Sequence, residues 1–211
     1  MPNISQTYNI EIKNLQCIRD DRILFDNLNF SLSNGKLLQI EGHNGSGKTS
    51  LLRILCGLTL PTEGYIYWNN EDIQDVQDEY WGNLSYIGHH PGIKGELTPL
   101  ENLAMAQALS KQPIDIDLND ALDKVGLYGF EDVPTRTLSA GQQRRVALAR
   151  LLISKTVLWI LDEPFTALDK TAIKMLENRL DRHAEQGGMA ILTSHHVINC
   201  NYKTSLRVGM D

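Results

Sequence analysis

The chain has 211 residues, 42% hydrophobic and 22% charged, enough for one compact domain with a full core that needs no disulfides. Its formal net charge is −6, from 20 Lys and Arg against 26 Asp and Glu, and no long basic run offsets it, so no nucleic-acid partner is expected. Three widely spaced cysteines, Cys17, Cys56 and Cys200, form neither a disulfide framework nor a zinc pattern and fit a reducing compartment. The N-terminus lacks the charged-then-apolar pattern of a secretory signal, and the longest clean apolar run, 157–161, is too short to cross a bilayer.

In chain order, residues 8–33 alternate apolar and polar positions, with turn signals at 19–22 and 33–35, and are predicted to form antiparallel strands. Residues 36–42 form a short buried strand that runs into a glycine-rich loop, and 49–55 has helical spacing. The segment 97–138 carries helical periodicity at 100–109 and 118–127 with few strand signals. Residues 139–154 are read as a further helix, 157–161 as a second buried strand, 171–183 as a helix and 189–193 as a third buried strand. Buried strands alternating with helices imply an α/β fold with a mostly parallel core sheet. The organisation expected is one domain over 1–211, with a helical subdomain inserted at about 97–145.

The loop between the first buried strand and its helix reads Gly42, His43, Asn44, Gly45, Ser46, Gly47, Lys48, Thr49, followed by Ser50. This matches G-x-x-x-x-G-K-[ST] in the strand-loop-helix context the mechanism needs: backbone N–H groups and a helix N-terminus cradle phosphates, Lys48 reaches the β/γ-phosphates, and the Thr49 hydroxyl can ligate Mg²⁺. A plain Gly-rich turn would not explain the flanking elements. The apolar strand at 157–161 delivers Asp162 and Glu163 to the sheet edge where α/β proteins bind ligands. Asp162 is the candidate Mg²⁺ ligand. Glu163 is placed to polarise an attacking water.

Leu138, Ser139, Ala140, Gly141 and Gln142, followed by QRRVALARLL, resemble the signature motif of ATP-binding cassette (ABC) ATPases. A Ser and a Gly at a helix N-terminus present a hydroxyl, amides and a dipole to an anion. Asp169 in Ala167-Leu168-Asp169 resembles the D-loop, and His195 in Thr193-Ser194-His195 resembles the switch-histidine loop. The resemblance implies a P-loop NTPase fold of ABC type, ATP as substrate with Mg²⁺, and catalytic roles for Glu163 and His195. It also implies that Ser139 and Gly141 close over ATP bound by Lys48 of a second copy, so that the chain acts as an ATP-dependent dimer.

Within that family, 86–97, 98–103, 130–134, 139–150 and 185–188 resemble the ATP-binding subunits of bacterial cytochrome c maturation exporters. This implies integral membrane partners, a peripheral location on the cytoplasmic face of the bacterial inner membrane, and a role in haem delivery or haem-chaperone release. The alternative is a soluble ABC ATPase acting on ribosomes or DNA; a single cassette without a coiled-coil insertion speaks against it. A guanine-reading Asn-Lys-x-Asp motif is absent.

Two positions depart from the general pattern. Alignment brings Arg19 or Ile18, not an aromatic ring, to the adenine-stacking position, making Arg19 the candidate adenine contact. His90 replaces the Q-loop glutamine and is a further candidate for contact with the metal, directly or through water; in the alternative it points away and His89 or a water takes the place. Of the remaining residues, Cys56 reads as core, and Arg144 and Arg145 as a solvated helix face.

Overall fold

The computed structural model describes residues 7–110 and 116–209. Strands β1 (Asn9–Arg19) and β2 (Arg22–Ser33) form an antiparallel hairpin. Asp20 and Asp21, the two loop residues, both have positive φ (49° and 59°), as a twist-matched two-residue hairpin turn requires. The expected hairpin is thus present, and β4 (Glu63–Trp68) and β5 (Glu71–Asp72) extend it into a sheet of order β2-β1-β4-β5.

The second sheet is wholly parallel, of order β6-β7-β8-β3-β9. Its three middle strands are the three short apolar runs read from the sequence. They are β3 (Leu37–Glu41), β7 (Leu158–Leu161) and β8 (Met189–Thr193), and β7 and β8 are buried at every position because helices or the other sheet cover both faces. The edge strands β6 (Leu84–Ile87) and β9 (Lys203–Arg207) carry no strand signal in the sequence. β9 is largely exposed and polar, so it lacks the apolar run that marks a central strand.

Helices α1 (Lys48–Leu55), α3 (Pro99–Leu109), α4 (Leu118–Lys124), α5 (Ala140–Ala149) and α6 (Lys170–Glu185) fall in the segments with helical spacing; the short α2 (Gln77–Gly82) was not read. The helix expected over 139–154 ends at Ala149. There the backbone tightens, with Leu151 and Leu152 N–H donating to Leu148 and Ala149 three residues back. Thr98 and Ser139 each open their helix with a capping box, to Glu101 and Gln142 respectively.

Three buried clusters hold these layers together. One packs the antiparallel sheet and α1 against the parallel sheet, with Ile10, Leu52 and Ile160 among its members. A second, including Leu148, Trp159 and Leu180, lies under α5 and α6. A third joins α3, α4 and α5 through Leu103, Leu122 and Val146. Helix α5 therefore contributes to two cores at once. Among the described residues no helix is long and apolar enough to cross a membrane.

Candidate nucleotide site

Strand β3 ends at Glu41, and the chain turns through 42–47 into α1. The helix cap Gly47 has φ 95° and no side-chain cap, so nothing from a side chain satisfies the first-turn N–H groups. A Cβ on Gly47 would meet the Leu24 Cβ at 2.9 Å, which requires glycine here on steric as well as conformational grounds. Lys48 Nζ donates to the carbonyls of Gly42 (2.7 Å) and His43 (3.1 Å), curling back along the loop with one of its three donors in reserve.

β7 and β8 pair with Leu161 opposite Leu192, so Asp162 and Thr193 leave the sheet side by side. Thr49 Oγ1 donates to Asp162 Oδ2 (2.9 Å), and Thr193 Oγ1 donates to Asp162 Oδ1 (2.8 Å) while accepting from the Glu163 N–H (2.9 Å). Asp162 is 1% exposed and tied by both oxygens. The sequence marks Thr193 as the end of the buried strand 189–193 and the start of the switch loop, not as a bridge between Asp162 and Glu163. Its bridging position follows from the pairing of β7 with β8, which a single sequence does not display.

Glu163 sits in the left-handed region with φ 47°. Its Oε2 accepts from the His195 N–H (3.2 Å), its Oε1 lies 3.5 Å from His195 Nε2, and Oε1 has no hydrogen-bond partner although it is buried. A left-handed non-glycine costs about 1–3 kcal/mol and persists only where surrounding contacts over-determine it.

These groups meet in one open cleft of about 470 Å³, whose lining includes Asn44, Gly45, Gly47, Lys48, Thr49 and Ser50 from the loop and Asp162, Glu163, Thr166 and His195 from the strand ends. His43 is exposed, with Nδ1 2.9 Å from the Asn44 carbonyl, and Ser46 is buried with its Oγ unpartnered. Neither lines the cleft, nor does Gly42. The Thr49 hydroxyl and the Asp162 carboxylate are oxygen donors held together, a set suited to a hard cation such as Mg²⁺.

Two candidates are displaced. His89, not His90, lines the cleft; the rings of these adjacent residues diverge at 77°, and His90 is exposed beside it. Arg19 is exposed at the hairpin end and does not line the cleft. Leu24 does, because it is the β2 residue packed against Gly47.

None of residues 138–142 lines the cleft either. Ser139 Oγ and the Gln142 side chain are engaged in their own capping box. A Cβ on Gly141 would come within 2.6 Å of the Ala167 carbonyl, so glycine lets the start of α5 approach the 167–169 turn. Asp169 caps α6 through the Ala172 N–H and pairs with Arg145 (2.5 Å).

The solvated face expected at 144–145 is not what forms. Arg144 is 3% exposed. Its guanidinium donates to five backbone carbonyls: Nε to Pro164 (3.3 Å), Nη1 to Gly88 (2.8 Å) and His89 (3.3 Å), and Nη2 to Asp162 and Glu163 (2.6 Å each). Burial lowers its pKa, and the nearby Asp162 and Glu163 oppose that shift. Cys56 is buried in the core as expected, its thiol pKa pushed up by burial.

Residues 25–166 match the family model described as ABC transporter. The chain is 52% identical over 202 residues to the cytochrome c biogenesis ATP-binding export protein CcmA of Aliivibrio fischeri, covering 95% of this chain and 99% of that one. It is 54% identical over 186 residues to CcmA of Methylococcus capsulatus, covering 88% and 90%. Among solved structures, an ATP-binding subunit of an ABC transporter superposes with TM-score 0.82 at 26% identity, over 94% of this chain and 87% of that one. A dimeric ATP-binding cassette bound to ADP and Pi superposes with TM-score 0.78 at 24% identity, over 94% and 96%. With the phosphate loop, the acidic strand end and the signature segment all in place, the chain belongs to the ABC transporter family of ATP-binding proteins.

Proposed function

We propose that this chain is the ATP-hydrolysing, energy-coupling subunit of a cytochrome c maturation exporter. The observation that carries the hydrolytic part is Glu163, in the cleft beside Lys48 and Thr49, with Oε1 buried and free of hydrogen bonds. The Glu163 carboxylate at the cleft can accept a proton from water attacking the γ-phosphate, and His195, with Nε2 3.5 Å from Oε1, orients the carboxylate and senses the terminal phosphate. Lys48 exchanges its loop carbonyls for phosphate oxygens, and the uncapped first turn of α1 supplies N–H groups to the same anion. Thr49 and Asp162 are the residues that would hold Mg²⁺, which neutralises phosphate charge when bound.

The position of 138–142 outside this cleft supports a role for its Ser139 hydroxyl and α5 N-terminus toward ATP held by a second copy. Two copies then enclose two nucleotides. Leu24 offers the base an apolar contact in place of an aromatic ring.

Coupling requires integral membrane partners. A groove of about 480 Å³, lined by apolar residues such as Trp81, Leu109 and Ile153 and by polar ones such as Arg150, Lys155 and Thr156, leaves Leu109 78% exposed and suits an amphipathic element of such a partner on the cytoplasmic face of the inner membrane. The name shared by the relatives, an export protein of cytochrome c biogenesis, supports a role in haem delivery or haem-chaperone release. The deciding experiment measures haem-loaded periplasmic chaperone in cells with the wild-type chain, without it, and with Glu163→Gln. Haem-loaded or released chaperone should change in the last two; equal levels in all three would contradict the reading.

A further inference from the structure

Helix α5 begins at the segment that faces a second copy, yet its fifth residue is anchored in this copy's own hydrolytic centre. Arg144 has five N–H donors in a planar fork, and all five are matched by carbonyl oxygens. Three of these, from Asp162, Glu163 and Pro164, belong to the turn that leaves β7. Two, from Gly88 and His89, belong to the segment that leaves β6, the neighbouring strand. The sheet itself connects these exits through the Asp162 N–H and the Ile87 carbonyl (2.8 Å). Beyond that bond they diverge, and the guanidinium is what spans them.

Carbonyl dipoles converging on one point repel one another unless a cation sits among them, and Arg144 is that cation. The Glu163 carbonyl is gripped on one side by Arg144, and its N–H on the other by Thr193, so both ends of this left-handed residue are fixed. We propose that Arg144 is a positioning residue for hydrolysis: by binding the 162–164 and 88–89 carbonyls together it makes these two segments one unit and sets the Glu163 carboxylate in the cleft. This rests on the ATPase reading above. It also places the anchor in the helix whose N-terminus serves the other nucleotide, so a movement of α5 reaches Glu163 through Arg144.

Arg144→Lys retains the charge but has only three donors on a point-like head, and Arg144→Gln removes the charge. Each is compared with wild type, alone and with Glu163→Gln, by ATPase kinetics, nucleotide affinity and amide hydrogen exchange. Arg144→Lys is expected to fold, to bind ATP within about threefold of wild type, to lower kcat about tenfold with little change in KM, and to expose the amides of 88–90 and those of Glu163, Phe165 and Thr166 together while α6 stays protected. Arg144→Gln should lower kcat about a hundredfold. In the Glu163→Gln background the added change at Arg144 should alter residual turnover less than twofold, because the group it positions is already gone.

Wild-type kcat in Arg144→Lys, unchanged exchange in either segment, kcat losses that multiply across the two backgrounds, or a parallel loss of nucleotide affinity would each overturn the proposal. An inactive wild-type chain, or full turnover by Glu163→Gln alone, would contradict the ATPase reading instead. The exchange of 88–90 and 163–166 would then still show whether Arg144 joins the two segments, and a failure there would overturn the proposal by itself.

Discussion

The phosphate-loop side of the molecule and the signature side are built in opposite ways. On the first, Thr49, Asp162, Thr193, Glu163 and His195 come from two strand ends and one helix and satisfy one another in a continuous network around a cleft. On the second, Ser139 and Gln142 close on each other in a capping box, Gly141 lies against Ala167, and nothing of 138–142 reaches that cleft. The network within the chain holds the Asp162 carboxylate by both oxygens at the edge of the cleft. The closed helix start, built like the capping box that opens α3 at Thr98, is satisfied within its own chain and stands apart from the cleft.

That contrast is broken most severely at Glu163. Glu163→Gln should keep ATP affinity, reduce turnover by about 10²–10⁴-fold and accumulate an ATP-bound dimer, as measured by phosphate release and size-exclusion chromatography. Substantial turnover would remove its role as base. Lys48→Ala, by contrast, should lose nucleotide binding itself.

On the signature side, Gly141→Ala drives a methyl group into the Ala167 carbonyl at 2.6 Å. It should destabilise the chain by about 1–3 kcal/mol, by overpacking, and lower turnover while leaving monomer ATP affinity near wild type. Thermal melts and equilibrium nucleotide binding separate the two effects. A fall in monomer affinity would mean that the signature contributes to its own chain's site.

A smaller effect belongs to neither half. His183 stacks on Trp159 at 3.7 Å with Nε2 3.0 Å from the Val157 carbonyl, and burial followed by the nearby Arg179 charge lowers its pKa to about 4. The unfolded chain therefore binds a proton at His183 below its ordinary value near 6.5, while the folded chain resists it until about 4. Stability from this group is complete above about pH 6.5 and falls as the pH drops toward 4, by about 3 kcal/mol in total. Urea midpoints across that range should show the loss, and His183→Phe should flatten it; an unchanged slope would contradict the assignment.

Much of this was legible in the sequence. β3, β7 and β8 announce themselves as apolar runs because central parallel strands are buried on both faces, and the glycine spacing at 42–49 marks the phosphate loop. The edges were not: β9 reads KTSLR and β6 is only partly buried, so neither carries a strand pattern of its own. Arg144 shows the same limit within the site. An arginine next to another arginine on a helix has the composition of a wet face, and only the folded sheet reveals five carbonyls gathered where it points. The placement of Leu24 and His89 in the cleft likewise depends on side-chain direction, which residue spacing does not resolve.

The claim that each nucleotide site is shared between two copies is met most directly by mixing two inactive variants, Lys48→Ala and Ser139→Ala. If the signature acts on the partner's nucleotide, the mixed dimer holds one site with an intact phosphate loop facing an intact signature, and ATPase activity should return, to no more than one working site per dimer. If phosphate loop and signature served the same chain's site, every site in the mixture would carry a defect, and the mixture would stay as inactive as either variant alone.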